Sequence, residues 1–161
     1  MNLKEQKGMG HLATFFCIII IIAIITICIY YIKNMMQQEN KKNYETDMLL
    51  IQGKIKVISQ ESTIQKKEEI LQGKKLSENL EDEEIKKLLQ NNIISTEESD
   101  FTKYYILEKT DLEELGLSSI ELTEGYYIVN YETYEVIYSS GVKIDNNNYY
   151  KLSELQTQTG E

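Results

Sequence analysis

Arginine, proline and tryptophan are absent from this 161-residue chain, histidine occurs once and cysteine twice. Each absence closes a class of function. With His11 as the sole imidazole, the Ser-His and Cys-His pairings of nucleophilic catalysis have no base beyond the N-terminal region. Zinc sites need three or four protein ligands, and His11 has no acid or thiol on a shared face, so it reads as a solvated residue at a membrane entrance. The two cysteines, Cys17 and Cys28, lie inside an apolar run. Eleven residues apart on a helix, they share one face about three turns apart, too far for an intramolecular disulfide. The rest of the chain has no cysteine, so disulfides say nothing about its compartment. Lacking proline and arginine but rich in Ile, Lys, Asn, Glu and Tyr, the chain has the composition of an AT-rich genome.

Positive charge is also scarce. The 17 lysines face 26 acids for a net charge of −9, and residues 1–33 carry +2, leaving −11 on the remainder. From Asn91 onward, four lysines stand against fourteen acids. That balance disfavours nucleic acid or an anionic surface as a partner for this part. Many exposed carboxylates invite comparison with glycoside hydrolases, but such acids are the ordinary surface of a soluble domain. No catalytic residue, cofactor, metal or small-molecule substrate is predicted, and the chain reads as a non-enzyme.

What is present in abundance is apolar length. Leu12 to Ile32 contains no charged residue, glycine or proline. As a helix it would span ~31 Å, matching a bilayer core of ~30 Å. A secretory signal has a shorter core and a small-x-small cleavage site, whereas Tyr30, Tyr31, Ile32 and Lys33 follow here. The segment reads as a retained transmembrane helix, with Leu12, Phe15, Phe16, Cys17, Ile21, Ile25, Cys28 and Ile32 facing lipid or a neighbouring helix. Lysines on both flanks give the positive-inside rule no clear direction.

Beyond the membrane segment, Tyr44, Met48, Ile51, Ile55 and Ile58 recur at spacings of four and three, which makes an apolar helical stripe. Lys41, Asp47, Gln52, Lys54 and Gln60 make the opposite side polar. One helix over about Leu12 to Ser59 is predicted, with this stripe packed on a sheet and Gly53 either tolerated or serving a close approach. The predicted organisation is a basic tail (1–11), a transmembrane helix (12–32), an amphipathic continuation (33–60), a charged connector with short helices (61–100), an α+β domain (101–155) and a disordered tail (156–161). Within the connector, Ser77 is the expected N-cap of a helix containing Ile85, Leu88 and Leu89, and STEESDF reads as a further helical turn capped by Ser95. KYYILEK (103–109) reads as a strand. TDLEELGL reads as a helical turn opened by Thr110 and closed by Gly116. YYIVNY (126–131), EVIY (135–138), VKI (142–144) and YYKL (149–152) read as short strands of an antiparallel meander. Alternation places Tyr127, Val129 and Tyr131 on one face and Tyr126, Ile128 and Asn130 on the other. Asp145-Asn-Asn-Asn lacks the glycine and distal glutamate of an EF-hand loop and reads as a hairpin turn. The fold class is α+β, a long N-terminal helix packed on a small antiparallel sheet.

Those elements resemble the type IV pilin and pseudopilin class. The stretches TDMLLIQGKIKVIS (46–59), DLEELGL (111–117), GYYIVNYETYEVIYSSGVK (125–143) and YYKLSEL (149–155) are similar to a pilin-like group of clostridial proteins, whose usual hairpin reads ETGE where this chain has Glu132-Thr133-Tyr134-Glu135. The resemblance implies a structural subunit of a surface filament or type II secretion apparatus, held in the cell membrane with its domain outside the cytoplasm. It also implies assembly with pilin-like subunits through the N-terminal helix, and cleavage of a basic leader after a glycine, which makes Gly8 and Gly10 the candidate processing sites. The chain departs from the class where a glutamate is usual at the fifth mature position. Cleavage after Gly10 puts Phe15 there, cleavage after Gly8 puts Ala13 there, and no acid lies between Glu5 and Glu39. An uncleaved membrane anchor, whose tyrosine-rich sheet binds a ligand or partner protein, is the alternative. Tyr134 in place of glycine predicts either a different turn or local strain of ~1–2 kcal/mol.

Overall fold

The computed structural model describes residues 3–94, 101–145 and 147–157, with side chains from Ala13 onward. The chain divides into two compact units, Met1–Glu39 and Asn40–Glu161. The first is helical throughout its described residues. Helix α1 runs over Leu3–Gln65, so the helix passes the expected end at Ser59 and continues to Gln65. Without proline, and with Gly53 costing only about 1 kcal/mol relative to Ala, nothing in the sequence stops it earlier. It ends where Lys66 turns into the left-handed region (φ 54°) and the Lys67 N–H donates to the Ser62 carbonyl at 3.1 Å, a six-to-one closure of the last turn.

The second unit is an α+β arrangement built on a five-stranded sheet. Its strands are β1 (Lys74–Lys75), β2 (Tyr104–Leu107), β3 (Tyr127–Asn130), β4 (Val136–Ile144) and β5 (Asn147–Lys151). Every neighbouring pair is antiparallel, in the order β1-β2-β3-β4-β5. The sheet is therefore the expected meander, with one strand, β1, that the residue pattern does not suggest. Lys74 and Lys75 carry no apolar signal and pair with Ile106 and Tyr105. Helices α2 (Glu83–Gln90), α3 (Lys109–Glu114) and α4 (Leu152–Thr157) complete the unit.

Both faces of the sheet are covered, which explains why consecutive strand residues are buried instead of alternating with exposed ones. On one face Met48, Ile51 and Ile55 of α1 pack with Tyr105, Leu107, Tyr127, Val129, Val136 and Tyr138, and Tyr44 and Ile58 flank them. Leu112 from α3 and Leu152 and Leu155 from α4 close the same core. On the other face Ile106, Ile128 and Ile137 align across β2, β3 and β4 beneath Leu76, Ile85, Leu88 and Ile94. The predicted alternation of Tyr127, Val129 and Tyr131 against Ile128 and Tyr126 corresponds to these two cores.

Several local expectations are corrected. The cap of α2 is Asp82, whose carboxylate accepts from the N–H groups of Glu84 (2.8 Å) and Ile85 (3.3 Å); Ser77 sits instead in a single 3-10 turn, Leu76–Glu78. Helix α3 begins at Lys109, before Thr110, because the Asp111 carboxylate reaches back to the Glu108 N–H at 2.7 Å. Gly116, at φ 73°, follows its end as expected. EVIY and VKI belong to one strand, β4, with a register irregularity between Ile137 and Val142. Gly141 (φ 70°) bends the strand there without ending it. Gln156 and Thr157, expected in a disordered tail, are the last residues of α4. Ser95 and the turn expected over STEESDF lie outside the described residues up to Asp100, and Phe101–Lys103 forms a single 3-10 turn.

At the β3–β4 loop the strain expectation is met. Tyr134 has φ 61°, and its N–H donates to the Asn130 carbonyl at 2.8 Å. The buried Asn130 amide oxygen accepts from the N–H groups of Glu132 and Thr133, so the loop's donors are satisfied within it. Two side chains of α1 tie the helix to this loop: Gln52 Nε2 donates to the Tyr134 carbonyl and Ser59 Oγ to the Tyr131 carbonyl, both at 2.9 Å.

Among the described residues one buried polar atom is left over. The Tyr127 hydroxyl has no hydrogen-bond partner although the residue is fully buried, and burial drives its ionisation far above the usual tyrosine range. Burying an unpaired hydroxyl costs about 1–3 kcal/mol. Tyr127→Phe is therefore expected to leave the fold intact and raise the urea midpoint, by up to about 1–2 kcal/mol of stability; a lowered midpoint would show that the hydroxyl is paired.

Candidate functional site

The most unusual surface in the chain belongs to α1. From Ala13 through Ile32 every residue is exposed. Phe15, Phe16, Ile21, Ile25 and Ile32 are each more than half exposed, and Cys17 and Cys28 are exposed free thiols. Apolar residues left uncovered along a helix in this number need a nonaqueous surrounding. The helix is long and apolar enough to cross a membrane, which fits a single-pass membrane protein. Tyr30, Tyr31, Met35 and Met36 continue the exposed apolar surface at the end of the span. Gly8 and Gly10, the candidate processing sites, lie within the backbone of α1; the side chains of Leu12 and His11 are outside the described ones.

Within the second unit, the same helix has two sides. Its inner side holds Met48, Ile51 and Ile55, all fully buried. Lys41, Asp47, Gln52, Lys54 and Gln60 predict a mainly polar outer side. The structure shows a mixed one. Leu50, Val57 and Ile64 are exposed at 47%, 60% and 82%, and their seven-residue spacing aligns them, with Gly53, on the side away from the sheet. Leu49, 40% exposed, adjoins them. A Cβ at Gly53 would meet nothing within 4 Å, so no packing inside this chain requires glycine there. The seven-residue spacing is a sequence signal in its own right, masked by the stronger inner stripe.

The remaining chemistry is structural. Tyr44 stacks on Tyr138 with ring centroids 5.0 Å apart, and Tyr138 in turn meets Tyr127 at 5.1 Å. Tyr105 meets Tyr131 edge to face at 5.1 Å. Burial raises the Tyr131 and Tyr138 ionisations to about 12. Most of the tyrosines of the meander thus serve the core. Asp47, near Tyr127, is pushed above the usual carboxylate range by desolvation. Among the described residues no group of three or more His, Cys, Asp or Glu side chains is placed to hold a metal ion. Asp145 (φ 54°) turns the chain between Ile144 and Asn147, which pair across β4 and β5; Asn146 is outside the described residues. No protein-family model, curated protein or solved structure matches this chain.

Proposed function

We propose that this chain is a pilin-like or pseudopilin-like membrane subunit, anchored by α1 and assembled with further copies or related subunits along that helix. The observation that carries the reading is the outer face of α1 in the second unit, where Leu50, Val57 and Ile64 are uncovered around Gly53. A helix stripe of this spacing is suited to a second helix, and the missing Cβ at Gly53 permits close backbone approach. Copies inserted in one membrane share a direction, so the face meets its own equivalent in parallel. The function is then mechanical: helix packing holds the subunits while the acidic domain is displayed outside the cytoplasm. The absent glutamate of the mature helix is compatible with a tip subunit, which needs no successor on both sides. An uncleaved anchor bearing a binding domain is the second reading, and it rests on the same absence together with a lysine-lined cleft at the end of α1.

The test is cross-linking in native membranes. In a Cys17→Ala, Cys28→Ala background, Val57→Cys is expected to form an intermolecular disulfide under mild oxidation, while Lys143→Cys on β4 stays monomeric. Gly53→Leu should abolish the Val57→Cys product. N-terminal analysis of the same material should find species beginning at Met9 or His11. A monomeric Val57→Cys protein with Met1 intact, never found in sheared surface fractions, would sink the assembly reading and leave the simple anchor.

A further inference from the structure

We propose that the second unit carries a binding cleft for acidic carbohydrate, a hydroxyl-rich chain bearing carboxylate or phosphate groups, at the C-terminal end of α1. The cleft, about 940 Å³, lies between the last turn of α1, the segment leading into β1, the start of β2 and the β3–β4 loop. On a chain whose residues beyond Lys33 carry −11, its lining is basic: Lys66, Lys67, Lys75 and Lys103 against Glu68 and Glu132. Lys103 pairs with Glu132, and Lys75 stands 3.9 Å from Glu68. Lys66 and Lys67 make no ion pair among the described residues. Lysines near a helix C-terminus also complement the helix dipole, so their number alone decides little.

Backbone strain and hydrogen-bond direction decide more. Of the four non-glycine residues with positive φ among the described residues, Lys66 and Tyr134 both line this cleft. Glycine would cap the helix at position 66 with less strain. Residues held in such conformations gather at binding sites. Three hydroxyls in the wall have their protons committed to the protein. Ser59 Oγ donates to the Tyr131 carbonyl, Ser62 Oγ to the Lys67 carbonyl and Thr63 Oγ1 to the Ser59 carbonyl, at 2.8–2.9 Å. Their oxygens retain lone pairs. The cleft therefore presents ammonium donors beside these three hydroxyl acceptors, and a ligand with both anionic acceptors and its own O–H donors complements them. Inorganic phosphate gathers its charge and its O–H donors on one compact group that cannot span the cleft, and a neutral glycan lacks the charge.

Binding can be measured by titration calorimetry on the full chain in polyoxyethylene detergent micelles, which have no sugar headgroup to compete. The probes are trigalacturonic acid, a glycerol phosphate trimer, maltotriose and inorganic phosphate. One or both of the first two should bind, weakening as salt rises, and their ratio distinguishes carboxylate from phosphodiester polymers. Lys66→Gln with Lys67→Gln should weaken that binding by about tenfold. Lys66→Gly should raise the unfolding midpoint while weakening binding, separating ligand recognition from fold integrity. Equal binding of maltotriose, binding of inorganic phosphate alone, no binding of either acidic trimer, or binding indifferent to Lys66 and Lys67 would each overturn the proposal.

Discussion

Ile51→Ala is expected to lower the unfolding free energy of the second unit by about 2–5 kcal/mol, the range for removing a large aliphatic side chain from a well-packed core. The upper part of that range applies. Ile51 is fully buried between α1 and the sheet, and the cavity closes only if the helix moves inward. Gln52 and Ser59 hold the helix to the β3–β4 loop by hydrogen bonds at 2.9 Å. A shift of the helix would stretch both. Because domain stabilities are about 5–15 kcal/mol, the variant should lose a large part of its margin and unfold at markedly lower urea, read by near-UV circular dichroism of the tyrosines. Val57→Ala, six residues on and facing out at 60% exposure, should change stability by no more than about 0.5 kcal/mol. An equal loss in both variants would mean that the outer face is also packed in the isolated protein.

This packing is legible in the amino-acid pattern because of the inner stripe. Spacings of four and three over Tyr44, Met48, Ile51, Ile55 and Ile58 have one physical solution, a helix with a buried side. The strand meander is legible for a similar reason, since β-branched and aromatic runs separated by turn residues leave few other arrangements. Local caps are less so. SENLEDEE contains three residues able to cap a helix, Ser77, Asn79 and Asp82, and Asp82 caps it while Leu76, beside Ser77, is drawn into the second core, which no window of local sequence reveals. Strand β1 is illegible because two lysines become a strand only through pairing with Ile106 and Tyr105. The lysine cleft is equally hidden, because its members come from α1, the segment before β1, β2 and the β3–β4 loop. The outer stripe of α1 belongs to a different class: its seven-residue spacing is readable, and only a stronger pattern on the same helix obscures it.

Gly73→Ala is the second change with a large expected effect. Gly73 has φ 98°, and a Cβ built there would lie 2.5 Å from the Ile106 carbonyl oxygen and 2.8 Å from Leu107 Cδ2. Strain of this kind costs about 1–3 kcal/mol, and overpacking against a fixed backbone costs a further ~1–3 kcal/mol. The cheap escape would be for the edge strand β1 to peel away, giving up its two residue pairs with β2 and the exposed Lys74–Glu108 ion pair at 2.6 Å. Its flanks oppose that. Leu71 packs against the core under α1, while Leu76 is fully buried in the core on the opposite face. Between them the Gln72 N–H donates to the Tyr131 hydroxyl, which donates in turn to the Gln72 carbonyl, each at 3.1 Å. Peeling would expose Leu76, at about 2 kcal/mol for a buried leucine, and break both bonds to Tyr131. Local release therefore costs about as much as the clash itself, and the substitution should destabilise the whole unit by about 2–4 kcal/mol. Hydrogen exchange discriminates the two responses. Global destabilisation lowers protection evenly across β2, β3 and β4, whereas loss confined to residues 71–76, with β3 and β4 unchanged, would show that β1 is an independent edge.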